Sequence, residues 1–371
     1  MKFLLEGAFG ESNFGDDLLM LATLNALIAK WPDAQITINA RQDSKRNDYL
    51  DRVPGIHRIL RGWLLSFEKY DLKIFAGGTQ FYSYPKIKNK AKKYWFEIFF
   101  NKIGNKLLRI WHQNRKNAYL GIGIGPFYDG NLEACKKLIL KGSFIAVRDG
   151  VSADYLENWG AVNFNCGADI CYQRDWWFDS KANISKTEEK DIIGIVVRDF
   201  DYDLPGRDYL EPLVSFIESL LSSGKKVKCF AFSRIKDAGA ILRISELGVD
   251  ILVWNGEFDE LNEYLKQISS CMLLISARYH GVVIGSVLGI PSIGIEVDPK
   301  VKLACDSLGE GSLCWSAPFS LAELEDKCAQ LLERREAALA SLVTQTAYLK
   351  HKTQKMFDAF VNFVETDVKH E

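Results

Sequence analysis

The sequence predicts an α/β protein built from two βαβ domains that face each other across a cleft. Short apolar segments alternate with longer helical patterns through most of the 371 residues. The alternation lapses near 173–190, in a polar and charged stretch, and then starts again. Such alternation is typical of parallel sheets with helices on both faces, and the chain is long enough for two domains.

The first half of the chain supplies the first run of this alternation. Each predicted strand is a short apolar run bounded by polar residues or glycine, as expected for a buried parallel strand. The predicted strands are 2–6, 35–39, 72–76, 117–122, 144–147 and 162–165, and the predicted helices include 17–30 and 152–159. We take 1–175 as the N-terminal domain. The polar stretch that follows, which contains Trp176, Trp177 and Phe178, is the predicted linker.

The second half repeats the pattern. The predicted strands are 192–197, 226–231, 250–253, 271–275 and 292–296, and the helices between them include 209–222 and 261–269. From 321 to about 368 the pattern is helical throughout. We therefore predict a C-terminal domain over 190–345 and a separate C-terminal helix over 346–371.

Composition and charge exclude several classes of protein. The net charge is −1, so no global attraction to nucleic acid is expected. The eight cysteines form no CxxC pair and lie near no histidine spacing that suits zinc, which predicts no metal site and reduced thiols in the cytoplasm. The N-terminal segment lacks the layout of a signal peptide, and no apolar run is long enough to cross a membrane.

One segment departs from the even charge distribution. Residues 86–116 contain ten Lys or Arg and a single acid, Glu97, interleaved with large apolar side chains. The pattern fits an interfacial helix that contacts anionic lipid, which would bring the protein to the inner face of the cell membrane. A surface helix that packs its apolar face on its own domain is the commoner use of the same pattern.

The most informative segment is 276–281, Ser-Ala-Arg-Tyr-His-Gly. It follows an apolar run and precedes a small-residue run that ends at 289–291, Gly-Ile-Pro, which predicts a strand, an extended loop and a helix. In an extended loop, Arg278 and His280 would point to the same side. A cation, an imidazole and a helix N-terminus together make an anion site with an acid/base group. A core histidine beside a surface arginine is the alternative.

Further cations follow other predicted strands. Arg198 ends the first strand of the second domain and would face the same cleft as Arg278. Lys300 follows the last core strand as a third cation, unless it is an ordinary surface lysine. Arg148 could meet an anion, although a structural pairing with an aspartate is an equal alternative. Asp237 could also line the cleft, although a loop aspartate is usually only solvated.

Glycine-rich loops follow the strands of the first domain. Asn13, Gly15 and Asp16 join the first strand to the first helix, where a turn and a helix cap would present backbone N–H groups and a carboxylate. Gly77, Gly78 and Thr79 follow the third strand. In doubly wound sheets ligands bind beyond these strand ends. No G-x-G-x-x-G, Walker A, G-x-S-x-G or H-E-x-x-H pattern is present.

Together these positions resemble the polysaccharide pyruvyl transferase family. The resemblance runs in order from residue 4 to about 310. The matching positions are Gly10, 13–17, 77–78, 121–126, 147–149, Ser152, 167–169, 197–198, 276–280, 289–291 and Lys300. The Asn-x-Gly-Asp and Ser-x-Arg-x-His blocks are the specific ones. Tyr279 stands where the family usually has leucine.

The resemblance implies a GT-B-like glycosyltransferase fold with two Rossmann-like domains. It implies phosphoenolpyruvate as donor substrate, with no cofactor, and a pyruvate ketal on two hydroxyls of a sugar or lipid-linked oligosaccharide as product. The residues suit this chemistry. We expect His280 as acid/base and Asp16 as second base, and the donor on Arg278, Arg198, Lys300 and Ser276. We expect the acceptor near Asn13, Gly15, Gly77, Gly78, Thr79 and Arg148.

Two other functions fit the same residues. A glycosyltransferase that uses a nucleotide sugar would need similar cations for its donor diphosphate. A non-catalytic glycan-binding subunit would bind sugar without releasing phosphate. Donor choice separates the three functions.

Overall fold

The computed structural model describes residues 1–40, 58–60, 69–85, 116–128, 131–178, 191–257 and 260–369. Two parallel sheets lie within these residues, one in each half of the chain, with helices packed against them. The predicted α/β class with two βαβ units is therefore confirmed.

The first sheet contains eight strands and spans the first half of the chain. Its strand order is β3-β2-β1-β4-β6-β7-β8, and β5 pairs with β6 beside this path. The strands are β1 (Lys2–Glu6), β2 (Gln35–Asn39), β3 (Arg58–Leu60), β4 (Leu72–Ala76), β5 (Thr79–Ser83), β6 (Lys116–Phe127), β7 (Phe144–Val147) and β8 (Asn165–Cys166). Its helices are α1 (Phe14–Lys30), α2 (Leu132–Ile139) and α3 (Gly150–Asn158). The strand pairs of this sheet are parallel throughout the described residues, so the loops after the strands share one edge of the sheet.

The second sheet has six strands in the order β11-β10-β9-β12-β13-β14. They are β9 (Ile192–Val197), β10 (Lys226–Ala231), β11 (Ile251–Val253), β12 (Cys271–Ser276), β13 (Ser292–Ile295) and β14 (Ser312–Trp315). The helices are α4 (Leu210–Ser222), α5 (Ala238–Ser245), α6 (Leu261–Ser269), α7 (Tyr279–Val287) and α8 (Pro299–Asp306). The neighbours β9 and β12 carry Arg198 and Arg278 just beyond their ends, so this order brings the two arginines to one edge.

The last two helices connect the second half back to the first sheet. They are α9 (Leu321–Glu333) and α10 (Arg335–Phe363), followed by a π-helical turn, Val364–Val368. Helix α10 packs on β6, β7 and β8, where Met356 lies against Gly121 and Gly167. The predicted limit between 345 and 346 falls inside α10, and the division of the chain into domains stays a prediction.

The start of α1 joins the two halves directly. Phe14 donates its backbone N–H to the Phe232 carbonyl at 2.9 Å. Its ring packs among Phe232, Trp254 and Tyr264, with centroids 4.7 to 5.2 Å apart. The Trp254 indole also donates to the buried Asp17 carboxylate at 2.7 Å. This aromatic contact holds the N-terminus of α1 against the second sheet.

Two predictions fall partly or wholly outside the described residues. The basic segment 86–116 is described only at Lys116, so membrane contact through it stays a prediction. The predicted linker 173–190 is described as far as 178, where Arg174–Trp176 form a short 3₁₀ helix. Among the described helices, none is long and apolar enough to cross a membrane.

Candidate active site

A pocket of about 440 Å³ opens between the two halves of the molecule. Nine of the twelve predicted site residues line it, contributed by both halves: Asn13, Asp16, Gly78, Thr79, Arg148, Arg198, Arg278, His280 and Lys300. Ser276, Gly15 and Gly77 do not line it. The pocket's volume lies within the range of small-molecule sites.

The segment after β12 differs from its predicted conformation. We expected an extended loop through His280, but α7 begins at Tyr279, and Arg278 is its N-cap residue. Ser276 is fully buried, and its hydroxyl accepts the Arg278 N–H and donates to the Arg278 carbonyl, at 3.1 and 2.8 Å. These bonds terminate the strand and fix the turn, so Ser276 supports the site from behind. The expectation of an extended loop was wrong because the backbone turns helical one residue before His280.

Arg278 and His280 both line the pocket, but they contact different halves of the molecule. The Arg278 guanidinium donates to the Asp237 carboxylate within the second half. Asp237 is fully buried and also accepts the Ser233 N–H at 3.0 Å. The interpretation of Asp237 as a solvated loop aspartate is therefore wrong, since it anchors Arg278 from beneath.

His280 is held by the first half of the molecule. Its Nε2 lies 3.6 Å from Oδ2 of the buried Asp169, which is longer than a hydrogen bond. On the other side the imidazole lies against Gly15, where a Cβ would be 2.2 Å from Nδ1. Gly15 therefore serves the site by close approach. A carboxylate and a glycine from one domain thus orient the imidazole supplied by the other.

Asp169 also binds Arg148, whose guanidinium donates to it at 2.9 Å and to Thr79 Oγ1 at 2.8 Å. Burial favours a raised pKa for Asp169, but His280, Arg148 and the Cys171 N–H together hold this pKa well below its usual range. The Arg148 guanidinium lies 4.1 Å from the Tyr279 ring centroid. The structural pairing of Arg148 with an aspartate is thus observed, and Tyr279 provides an aromatic face for this cation.

A second pair of cations shares one buried aspartate. Arg198 lies 2.6 Å and Lys300 3.4 Å from Oδ2 of Asp298. Burial lowers the pKa of Lys300 to about 8, although 24% of its side chain remains exposed. Burial acts to raise the pKa of Asp298, but Lys300 and Arg198 outweigh it and lower this pKa. Lys300 is therefore part of a buried charge cluster and not an ordinary surface lysine.

The loops of the first half complete the pocket. Asn13 is the N-cap residue of α1, but its side chain donates to Asp16 at 2.6 Å and caps no backbone N–H. Gly77 and Gly78 adopt φ of 57° and 69°, which favour glycine. Gly77 lies against Leu19, behind the surface that Gly78 and Thr79 present.

Three buried nitrogen atoms on pocket residues, among the side chains that the structure describes, have no hydrogen-bond partner. They are Nε of Arg148, Nε of Arg278 and Nε2 of His280. Two of these atoms nevertheless face a carboxylate at ion-pair distance: Nε of Arg148 lies 3.5 Å from Asp149, and Nε2 of His280 lies 3.6 Å from Asp169. Five cations line this pocket among the described residues. Lys236 pairs with Glu11, and the other four, Arg148, Arg198, Arg278 and Lys300, favour an anion.

The residues at this site suit a metal ion poorly. Asp169, Cys171 and His280 place one potential ligand atom each within 4.8 Å of one another. However, the Asp169 carboxylate already binds Arg148, and burial raises the pKa of the Cys171 thiol well above its ordinary value. A metal would need the thiolate, so we assign no metal role to this cluster.

Sequence reasoning missed the acids behind the cations. Asp169 lies in a segment already singled out, 167–169, and Asp298 lies two residues before Lys300, but no side-chain role was assigned to either. It also missed Tyr82 and Tyr202, which line the pocket from β5 and from the loop after β9. The positions of these acids and tyrosines depend on contacts between distant segments, such as that of Arg148 with Asp169. No local spacing in the sequence indicates such contacts.

Two parallel-sheet halves around a cation-lined cleft define a two-domain protein of GT-B-like architecture. The family model for polysaccharide pyruvyl transferase matches residues 13–299. The chain belongs to the polysaccharide pyruvyl transferase family, which implies a transferase that acts on polysaccharide. No curated protein sequence matches the chain significantly.

Solved structures with the same architecture confirm the fold. MnaA of S. aureus in complex with UDP is 9% identical with a TM-score of 0.60, and the match covers 98% of both chains. Anabaena HepE in complex with UDP and glucose is 13% identical with a TM-score of 0.58, covering 99% of this chain and 100% of that one. The UDP-GlcNAc 2-epimerase from Neisseria meningitidis is 10% identical with a TM-score of 0.57, covering 98% and 100%. The predicted GT-B-like fold of two Rossmann-like domains is therefore confirmed.

Proposed function

We propose that this protein transfers the pyruvyl group of phosphoenolpyruvate onto two hydroxyls of a sugar in a polysaccharide or its precursor. The product is a cyclic pyruvate ketal, and phosphate is released. The observation that carries the proposal is the arrangement of four cations, Arg148, Arg198, Arg278 and Lys300, in one pocket with His280, the one histidine that lines it in the part of the chain that the structure describes. Membership of the family supports the same reaction.

The donor carries two anionic groups, a phosphate and a carboxylate, and the second domain supplies cations for both. Arg278 and Arg198 follow the neighbouring strands β12 and β9, and Lys300 stands in the first turn of α8. Arginine binds such groups through two parallel N–H donors, and lysine adds a compact charge. In our proposal these three residues hold phosphoenolpyruvate and stabilise charge on the departing phosphate.

The proton transfers balance around one acid/base group. One sugar hydroxyl adds to C2 of the enol while C3 gains a proton and becomes a methyl group. The C2–O bond to phosphate then breaks, and the second hydroxyl forms the ketal. One hydroxyl proton ends on C3 and the other on phosphate. His280 takes and returns these protons, and Asp16 is the second base or orients the acceptor together with Asn13 and Thr79.

Asp169 positions His280 in this proposal. It lies 3.6 Å from Nε2 and is itself fixed by Arg148, so it restricts the ring without touching substrate. Asp169→Asn should lower kcat by up to the roughly 10²–10⁴ that general acid–base catalysis contributes, and leave KM for phosphoenolpyruvate unchanged.

Asp149→Asn is the matched control, since Asp149 lies 3.5 Å from Arg148. Its side chain also caps α3 through Ser152, so a modest loss of stability is expected there. Equal kcat in the two variants, or a changed KM for phosphoenolpyruvate in Asp169→Asn, would contradict the positioning role.

The reaction is tested by phosphate release from phosphoenolpyruvate against a panel of glycan acceptors, with NMR detection of the ketal methyl group. Wild-type protein should release phosphate only in the presence of an acceptor, and the His280→Ala variant should release none. His351→Ala, an exposed histidine on α10, is the control. Phosphate release by His280→Ala at the wild-type rate would overturn its assignment. If UDP-glucose is the only donor that is turned over, the protein is a glycosyltransferase. If the protein binds glycan but turns over no donor, it is a binding subunit.

A further inference from the structure

Two tyrosines that line the pocket belong to different halves of the molecule. Tyr82 lies on β5 and is 38% exposed. Tyr202 follows β9 and is partly exposed. Both line the pocket that contains His280 and the four cations. They form an aromatic part of the pocket wall, to which Phe232 and Tyr279 also contribute.

A buried ring supports both tyrosines from behind. Tyr84 is 5% exposed, and its ring centroid lies 5.0 Å from that of Tyr82 and 4.8 Å from that of Tyr202. Phe200 packs against Tyr202 at 5.2 Å. A backbone hydrogen bond of 2.9 Å from Asp203 to the Pro85 carbonyl joins the two segments. The exposed rings are therefore held in place before any ligand binds, which lowers the entropy cost of binding.

The aromatic wall is continuous with the cation cluster. The Arg198 guanidinium lies 5.0 Å from the Phe200 ring centroid. Asp199 and Asp201 flank Phe200 in sequence and line the same pocket. Each Asp199 oxygen already accepts a backbone N–H, from Gly239 at 2.6 Å and from Ala240 at 2.7 Å, and keeps one further lone pair for a hydroxyl group. The negative charge of the two acids disfavours a phosphate at this wall. The pocket thus separates a cationic side from an aromatic and acidic side.

We propose that Tyr82 and Tyr202 form a platform for one pyranose ring of the acceptor sugar. A pyranose presents a face of C–H groups, which packs on an aromatic face, and an edge of hydroxyls, which suits carboxylate acceptors. The platform places such a ring beside Arg198, and so beside the donor. This inference rests on the proposed function, which supplies the identity of the reaction. The binding of the sugar to the platform does not depend on that identity.

The inference is tested first by saturation-transfer NMR with a panel of methyl pyranosides, which requires no donor and no turnover. Ring protons should receive saturation in wild-type protein, Tyr82→Phe and Tyr202→Phe, because phenylalanine keeps the aromatic face. In Tyr82→Ala and Tyr202→Ala the pyranoside ring protons should receive no saturation. Tyr348→Ala, at a tyrosine that is 57% exposed on α10, is the control for removal of a surface ring.

The second measurement is the kinetic split between the substrates. In the alanine variants KM for the acceptor should rise about tenfold, the effect of losing a contact of roughly 1.4 kcal/mol, with KM for phosphoenolpyruvate unchanged. Saturation transfer to UDP but to no pyranoside, or pyranoside binding unchanged in both alanine variants, would overturn the platform. If phosphoenolpyruvate proves not to be the donor, the NMR result still decides the sugar platform, so the two failures are distinguishable.

Discussion

At the scale of single residues, the side chains of the site are held by close contacts with one another. His280 lies between Asp169 and the backbone of Gly15, so its orientation is set by residues more than a hundred positions away in the chain. Arg148 lies between Asp169, Thr79 and the ring of Tyr279. Catalytic geometry of this kind tolerates only displacements that are well under an ångström.

Gly15→Ala should therefore lower kcat by about 100-fold, because its new Cβ would lie 2.2 Å from Nδ1 of His280 and displace the ring. Gly150→Ala is the matched control, since Gly150 also lies in the first turn of a helix and its Cβ would meet nothing within 4 Å. Steady-state kinetics and a melting temperature for both variants check this. Normal kcat in a folded Gly15→Ala protein would contradict the close approach.

Lys300 predicts a pH dependence for donor binding. Burial lowers its pKa to about 8, and lysine is charged only below its pKa. KM for phosphoenolpyruvate should therefore rise above pH 8, by at most about tenfold per pH unit for one proton. Lys300→Arg stays charged over this range, so its KM should not rise there. The same rise in the arginine variant would assign the effect to another group.

At the scale of elements, the first turn of α1 performs two tasks. Asp16 and Asn13 face the pocket, while Phe14 and Asp17 bind the second half. Of these two adjacent acids, Asp16 therefore lines the pocket and Asp17 stabilises the contact between the halves. This division follows from helix geometry, because adjacent residues on a helix point in different directions.

Trp254→Phe should destabilise the protein by about 1.5–3 kcal/mol, since the Asp17 carboxylate loses a buried donor. It should also lower kcat, because this bond holds α1, and with it Gly15, against the second half. Trp31→Phe is the control, as it removes a similar indole–carboxylate bond, to Glu365, away from the cleft. Denaturant unfolding and kinetics compare the two. A kcat equally affected in both variants would argue against the anchoring role.

At the scale of the whole molecule, α10 connects the halves from behind the cleft. It follows the second sheet in sequence yet packs on β6, β7 and β8 of the first. Thr353 Oγ1 donates to the Asp169 carbonyl at 3.0 Å, so the helix also supports the segment that carries Asp169. The close packing depends on Gly167, where a Cβ would lie 2.6 Å from Met356, and is tight at Gly121, where a Cβ would lie 3.1 Å from it.

Met356→Ala should cost about 2–5 kcal/mol, as expected for truncation of a buried side chain that is 2% exposed. Val343→Ala on the same helix is the control, because that side chain is 71% exposed and its loss should change stability by less than about 0.5 kcal/mol. Urea unfolding followed by fluorescence and circular dichroism measures both. Equal stability of the two variants would show that α10 does not hold the first sheet.

The sequence by itself determined most of the elements, although not β3, β5 or β14, and most of the residues at the site. Strands such as 192–197 and helices such as 261–269 were predicted to the residue, because their apolar patterns are local. Nine of the twelve predicted site residues meet in one pocket, because parallel strands bring their carboxyl ends to one edge. Local patterns sufficed where a property depends only on neighbours in the chain.

Only the tertiary structure decided how those residues are paired. Asp169 beside His280, Tyr279 beneath Arg148, and the tyrosines Tyr82 and Tyr202 of the wall join segments far apart in sequence. The start of α7 at Tyr279, which ruled out the extended loop, is also a result of packing. Pairings of this kind depend on strand order and on the contact between the halves, and neither is written in the spacing of any one segment.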